Sequence, residues 1–169
     1  HARFRLGSFE VTTLLAGTRM VPNPQEIFGL NVSEEAFVEA SAAAMIPADT
    51  SRFFFTPTVV NTGAALILFD TGLAPGPTLA ALEAAGYTAD QVSHVALTHM
   101  HGDHIGGLME DGTETFEGAR YLTGAAEFDA WDFSGDETFE ANVRPLSDAG
   151  KLEFLEDGAF SFGQSLPEL

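Results

Sequence analysis

The continuous apolar run Ala64–Phe69 constrains this fold more than any other stretch. Six residues without a polar break, set between Asn61-Thr62-Gly63 and Asp70, read as a central strand buried on both faces. Asn61-Thr62-Gly63 is a hairpin turn, so Val59-Val60 pairs antiparallel with the run. Val92 to Leu97 reads as the next strand. Between the two, Pro77 at a first helical position and Gly86 just past the end bracket a helix, with Leu79 and Leu82 as its apolar stripe. Strands alternating with capped helices define an α/β fold.

The flanking segments extend this plan. Residues 8–15 alternate loosely and are rich in β-formers. Gly17 and Pro22-Asn23-Pro24 break the chain after them. Ser33 followed by Glu34 and Glu35 marks a helix start, with acidic groups at the positive end of the dipole. Phe37, Ala40 and Ala44 fall on one face, and Pro47 ends the helix. Phe53–Val60, broken by Pro57, predicts one or two edge-like strands. Phe53, Phe54 and Phe55 pack in the core or line a pocket. One sheet is expected from residues 8–15, 53–60, 64–69 and 92–98, with helices near 33–45 and 77–86 around it. Further on, 119–122 and 151–155 read as strands and 127–131 as a helix. Ser134-Gly135-Asp136-Glu137 fits a capping box. Phe139, Val143 and Leu146 follow at helical spacing, although Pro145 must kink or end this helix. No internal repeat or interdomain linker stands out, so residues 1–169 read as one domain.

The chemistry concentrates after Val95-Ala96-Leu97. Thr98-His99-Met100-His101-Gly102-Asp103-His104 places three imidazoles and a carboxylate within six residues, ligand types suited to Zn²⁺ and neighbouring divalent ions. The loop leaves a strand's carboxyl end, where open α/β sheets place their sites. His99 and His101, two apart on extended backbone, point to one side. Gly102 permits a tight turn that brings Asp103 and His104 back toward them. Gly106-Gly107 allows close backbone packing behind the loop. Isolated histidines are usually structural or exposed, and His94, ahead of the strand, is read that way.

His-x-His-x-Asp-His after an apolar strand resembles the signature of the metallo-β-lactamase-fold hydrolases, and Leu68-Phe69-Asp70-Thr71-Gly72 resembles that family's strand-end Asp-Thr-Gly. The stretches 4–11, 70–72, 76–79 and 142–146 are similar to methyl parathion hydrolase and lactonase-like enzymes. The resemblance covers most of residues 3–158. It implies a metallo-β-lactamase-like αββα sandwich, with His99 and His101 on one metal ion, Asp103 and His104 on a second, and Asp70 beside the ligands, fixing their orientation. It implies Zn²⁺, one or two ions, or another divalent transition metal. Two ions about 3.5–4 Å apart clamp the attacking and leaving oxygens of a hydrolysis. The implied activity is hydrolysis of an ester, lactone or phosphotriester by metal-bound hydroxide. Asp103 is the candidate to accept a proton during turnover. A β-lactamase or thioesterase-like hydrolase, or a catalytically silent metal-binding half-domain, are the alternatives.

The family pattern also requires a later His, a bridging Asp and a last His. No histidine follows His104, and Asp148 and Asp157 have no motif around them. The C-terminal half is therefore expected to be missing or incomplete. An incomplete site predicts weakened metal binding, and an uncovered sheet face predicts a disordered C-terminal part or a partner chain, such as a second copy. Twenty-five acidic against seven basic residues, a formal charge of −18, disfavour nucleic acid and anionic membrane partners and leave a small-molecule substrate. The charge reads as a solubility or salt-tolerance feature. With no cysteine, thiolate ligands and disulfides are excluded. No apolar run is long enough to span a membrane. No signal peptide is visible, but the chain starts at His1, so a trimmed beginning is expected, and a cytoplasmic or periplasmic location stays open.

Overall fold

The computed structural model describes residues 1–155. The chain divides into two compact units: Gly17–Phe54, and the remainder.

The larger unit is built on a seven-stranded sheet. Its strands are β1 (Ala2–Leu6), β2 (Phe9–Thr13), β5 (Thr58–Asn61), β6 (Leu66–Phe69), β7 (His94–Ala96), β10 (Arg120–Gly124) and β11 (Leu152–Leu155), in the order β1-β2-β5-β6-β7-β10-β11. The first four strands pair antiparallel, and β6, β7, β10 and β11 run parallel. The expected hairpin is present, with Val59 opposite Leu68 and Val60 opposite Ile67. Asn61 Oδ1 accepts from Gly63 N at 2.8 Å, and Gly63 has a φ of 87°, which only glycine adopts without strain. Parallel neighbours need crossovers. Helix α3 (Pro75–Ala84) supplies the one from β6 to β7, opening two residues earlier than the sequence suggests because Pro75 already fits the first turn.

Helices cover one face of the sheet. Leu82 of α3 is fully buried in one cluster with Val59, Leu68, Val95 and Tyr121. Phe128 of α5 (Ala125–Trp131), Phe139 of α6 (Glu137–Asn142) and Leu146 of α7 (Arg144–Asp148) join the same core. On the opposite face, Phe4, Val11, Val60 and Ile67 align across β1, β2, β5 and β6. Phe4 and Leu6 are exposed there. The expected disordered part or partner chain over this face concerns residues outside those described, as does Asp157.

The smaller unit contains β3 (Gly17–Pro22), α1 (Gln25–Phe28), α2 (Glu34–Ala43) and most of β4 (Thr50–Phe55). β3 and β4 form a separate two-stranded sheet, so the segment 53–60 does not join one sheet as expected. The chain leaves β4 at Phe55 and re-enters the main sheet at Thr58, with Thr56 and Pro57 between. Proline cannot donate to a ladder, so the break falls there. Ser33 caps α2, accepting from Ala36 N at 3.3 Å. Phe55 is buried, Phe54 is exposed, and Phe53 packs against Phe28 with ring centroids 5.5 Å apart. An apolar cavity of about 640 Å³ lies in this unit, lined by Met20, Phe28, Phe37 and Ile46 among others.

Further differences are local. The capping residue before α6 is Asp136, not Ser134: Asp136 Oδ1 accepts from Phe139 N at 2.9 Å, while Ser134 Oγ accepts from Asp136 N. Asp136 sits immediately before the first helical residue, where its carboxylate reaches the third free N–H. The helical stretch 137–148 breaks at Val143, because Pro145 cannot donate an interior bond and instead sits in the first turn of α7. A small hairpin, β8 (Met109–Glu110) with β9 (Thr113–Glu114), turns on Asp111 and Gly112, both at positive φ. No helix among the described residues is long and apolar enough to cross a membrane.

Candidate metal centre

Asp70 follows β6, and Thr98–His104 follows β7, its parallel neighbour. The two loops therefore leave adjacent strands at the same carboxyl end. Asp70 N donates to Ala96 O at 3.0 Å, extending the ladder by one bond. Asp70 then adopts a φ of 60°, a left-handed conformation that aspartate tolerates better than most residues. This bend aims its carboxylate at the β7 loop. Oδ1 accepts from Thr98 N at 2.8 Å, and Oδ2 lies 2.9 Å from Thr98 Oγ1 and 2.8 Å from His104 Nδ1.

The segment read as a loop contains a single turn of helix, α4 (Gly102–Ile105), which brings His104 back toward His99. Their ring centroids are 3.7 Å apart, and those of His99 and His101 are 4.7 Å apart. Asp103 Oδ2 lies 3.5 Å from His104 Nε2. The structure thus gathers His99, His101, Asp103 and His104 at one strand end, with Asp70 beneath His104. His94 stands at the other end of β7, with Nδ1 2.9 Å from Ser93 Oγ, away from the cluster. Asp148 ends α7.

Close packing behind the cluster explains the glycine pair. Thr71 N and Thr71 Oγ1 both donate to His104 O, at 2.7 and 2.8 Å, and Gly107 N donates to Thr71 Oγ1 at 3.1 Å. A Cβ on Gly106 would lie 2.4 Å from Leu73 O, and one on Gly107 2.2 Å from Thr71 O. Thr78 Oγ1, from α3, completes the support by donating to Thr71 O at 2.6 Å.

The charges are graded. The hydrogen bond to Asp70, opposed in part by burial, holds His104 above the ordinary imidazole pKa. Burial first, then the neighbouring His104 and His101, hold His99 below it. His99 is therefore neutral at pH 7, with a lone pair to give. Bonding to Asp70 places a proton on His104 Nδ1, so in the neutral ring it is the Nε2 lone pair that lies beside Asp103.

The donor set suits a divalent cation in kind but falls short in number. Among the described residues no group of three or more His, Cys, Asp or Glu encloses a single ion position. His99, His101, Asp103 and His104 would thus supply part of a coordination shell. Three neighbours were not singled out from the sequence. Thr98 bridges Asp70 and, at 3.1 Å, His99 Nδ1. Glu127 Oε1 accepts from Met100 N at 2.9 Å, and the Trp131 ring stands edge-on to His101 at 5.4 Å. The readable signal for the last two was position: a helix that follows a parallel strand beside β7 starts next to the loop that leaves β7.

Comparison with known proteins bears on the fold that carries this cluster. Residues 56–111 match the metallo-beta-lactamase superfamily model. A hydrolase of the beta lactamase superfamily, AbOPH, superposes with a TM-score of 0.81 at 22% identity, over 95% of this chain and 62% of that one. AidC, a dizinc quorum-quenching lactonase solved with N-hexanoyl-L-homoserine, superposes with a TM-score of 0.80 at 21% identity, over 95% of this chain and 63% of that one. A probable metal-dependent hydrolase from Staphylococcus aureus gives 0.67 at 20% identity, over 90% and 61%. No curated protein sequence matches. The fold is that of the metallo-β-lactamase superfamily, with lactonases and other hydrolases among its structural neighbours. The chain spans somewhat over three fifths of the length of these structures.

Proposed function

We propose that this chain carries the motif-bearing part of a metal-dependent hydrolase that acts on a small ester, lactone or phosphotriester. The observation that carries the reading is the Asp70–His104 bond of 2.8 Å, which ties two strand-end loops into one cluster of imidazoles and carboxylate. His99 and His101 would hold one ion and Asp103 with His104 a second, each pair supplying part of a coordination shell. A zinc ion bound there supplies a Lewis acid that polarises the scissile group and lowers the pKa of water to near 7. The chain's own residues orient and shuttle. Asp70 fixes the His104 tautomer, and Thr98 braces His99 and Asp70 together. Asp103, the more exposed of the two carboxylates, can take up a proton. The exposed His101 leaves the cluster open to an entering small molecule.

The test is zinc content and turnover of the purified protein on a γ-lactone, an aryl ester and an aryl phosphotriester. His99→Ala with His101→Ala should remove turnover and most of the zinc while leaving the unfolding midpoint of the metal-free chain nearly unchanged. Retained turnover in that double variant would refute the reading. The absence of a three-donor group among the described residues favours a second reading, a silent metal-binding half-domain. It predicts weakly held zinc and no turnover on any of the three substrates.

A further inference from the structure

The backbone between His99 and His101 is held by a residue with no place in the cluster itself. Met100 lies between the two imidazoles, and its side chain is fully buried in the core. That burial pins the segment from within. From the other side, Met100 N donates to Glu127 Oε1 at 2.9 Å.

Glu127 reaches this position through the sheet. β10 pairs parallel with β7, Leu122 opposite Ala96, so the helix after β10 begins beside the loop after β7. Glu127 is the third residue of α5, where an acid ordinarily serves its own helix terminus. Here the N-cap is Gly124, which offers no side chain, and the Glu127 carboxylate is directed at Met100 instead. One turn later on the same helix, Trp131 stands edge-on to His101. The i and i+4 positions share a helix face, so α5 grips the His-x-His segment at its central amide and at its second ring.

Building on the metal-hydrolase reading above, we propose that Glu127 is the positioning residue that presents His99 and His101 as a pair to a divalent cation, with Trp131 seating the second ring. A carboxylate acceptor makes a stronger bond to an amide than a neutral group does. Fixing one amide between two ligands at i and i+2 limits the torsions that would splay them. Outer partners of this kind typically change metal affinity by about 10–100-fold.

Cobalt(II) is the probe, followed by its visible absorption on titration into the metal-free protein. Glu127→Ala should weaken cobalt binding by about tenfold or more. Glu127→Gln, whose amide oxygen still accepts from Met100 N, should stay within about threefold of the parent. Asp129→Asn, an exposed acid on the same helix, controls for loss of charge. Hydrogen exchange at the Met100 amide of the metal-free chain should speed up in the Ala variant and not in the Gln variant. If Glu127→Ala does not fold, Glu127→Asp withdraws the oxygen by one methylene and should weaken cobalt binding in the same direction. Unchanged cobalt affinity in the Ala or Asp variant would overturn the assignment, as would equal losses in Glu127→Gln and Asp129→Asn. A parent protein that takes up no cobalt would instead overturn the metal reading on which the assignment rests. A parent that binds cobalt indifferently to residue 127 overturns the positioning role alone.

Discussion

Two residues carry consequences that single substitutions can read. Gly107 supports the cluster by its lack of a side chain, because a Cβ there would lie 2.2 Å from the backbone oxygen of Thr71. Backbone cannot rotate away as a side chain would. Gly107→Ala should therefore lower stability by about 1–3 kcal/mol, the usual cost of overpacking. It should also loosen the Thr71–His104 bonds, visible in urea unfolding and in faster exchange at Thr71 N. Gly118, with nothing near its would-be Cβ, is the control: Gly118→Ala should move the urea midpoint far less. Tyr121 gives the pH dependence. Its ring is fully buried and its hydroxyl donates to Phe116 O at 2.9 Å. Burial, with Glu114 adding to it, raises the phenol far above its ordinary pKa of about 10. The folded chain therefore keeps a proton that the unfolded chain releases. Stability is unaffected by this group below about pH 10 and falls above it, by up to about 1.4 kcal/mol for each pH unit. Tyr121→Phe should remove that part of the alkaline decline, so the parent-to-variant difference in unfolding free energy should shrink from pH 9 to pH 11.

At the scale of elements, legibility in the sequence tracks the strength of each pattern. Ala64–Phe69 read as a strand because an unbroken apolar run has no surface alternative, and Val92–Leu97 because Val95-Ala96-Leu97 is apolar and β-branched Val92 precedes it. The Ser33-Glu34-Glu35 start read as a helix because its cap bonds are local. The four-residue helix α4 was not legible, since four residues show barely one helical period and Gly102 argues against it. β1 went unread because all five of its residues are exposed. Phe53–Val60 read as part of one sheet because pairing partners are chosen by tertiary packing, which β propensity does not encode. The imidazoles and Asp103 were legible as a motif. Glu127 and Trp131 were not, because their proximity arises only when β10 docks beside β7. The Ser134–Glu137 motif correctly announced a helix but misplaced its cap by two residues. The consequence is measurable: Asp136→Ala should cost about 1 kcal/mol in unfolding free energy, and Ser134→Ala much less. Equal effects would return the capping role to Ser134.

At the scale of the molecule, the sheet changes character between β6 and β7. On one side lie the hairpins β1-β2 and β5-β6, whose partners are close in sequence, joined to each other by the long-range pair β2-β5. On the other, every pairing waits for a crossover of two dozen residues or so. Loop-closure entropy makes the second kind of contact slower to form. Asp70 belongs to the early side of this seam and His104 to the late side, so the 2.8 Å bond between them closes only after β6 has met β7. The single tryptophan, Trp131, arrives later still, with the helix after β10. Its fluorescence during refolding from urea should change after most of the far-ultraviolet signal has recovered, and simultaneous phases would contradict this order. On the proposal that this strand end binds metal, the same order would act as a safeguard in the cell. A growing chain would carry the His-x-His-x-Asp-His residues well before it could arrange them, and stray transition metals would find scattered imidazoles rather than a trap. Selectivity among ions would then be decided by a finished scaffold, and mismetallation would be limited by when the seam closes as much as by what the side chains prefer.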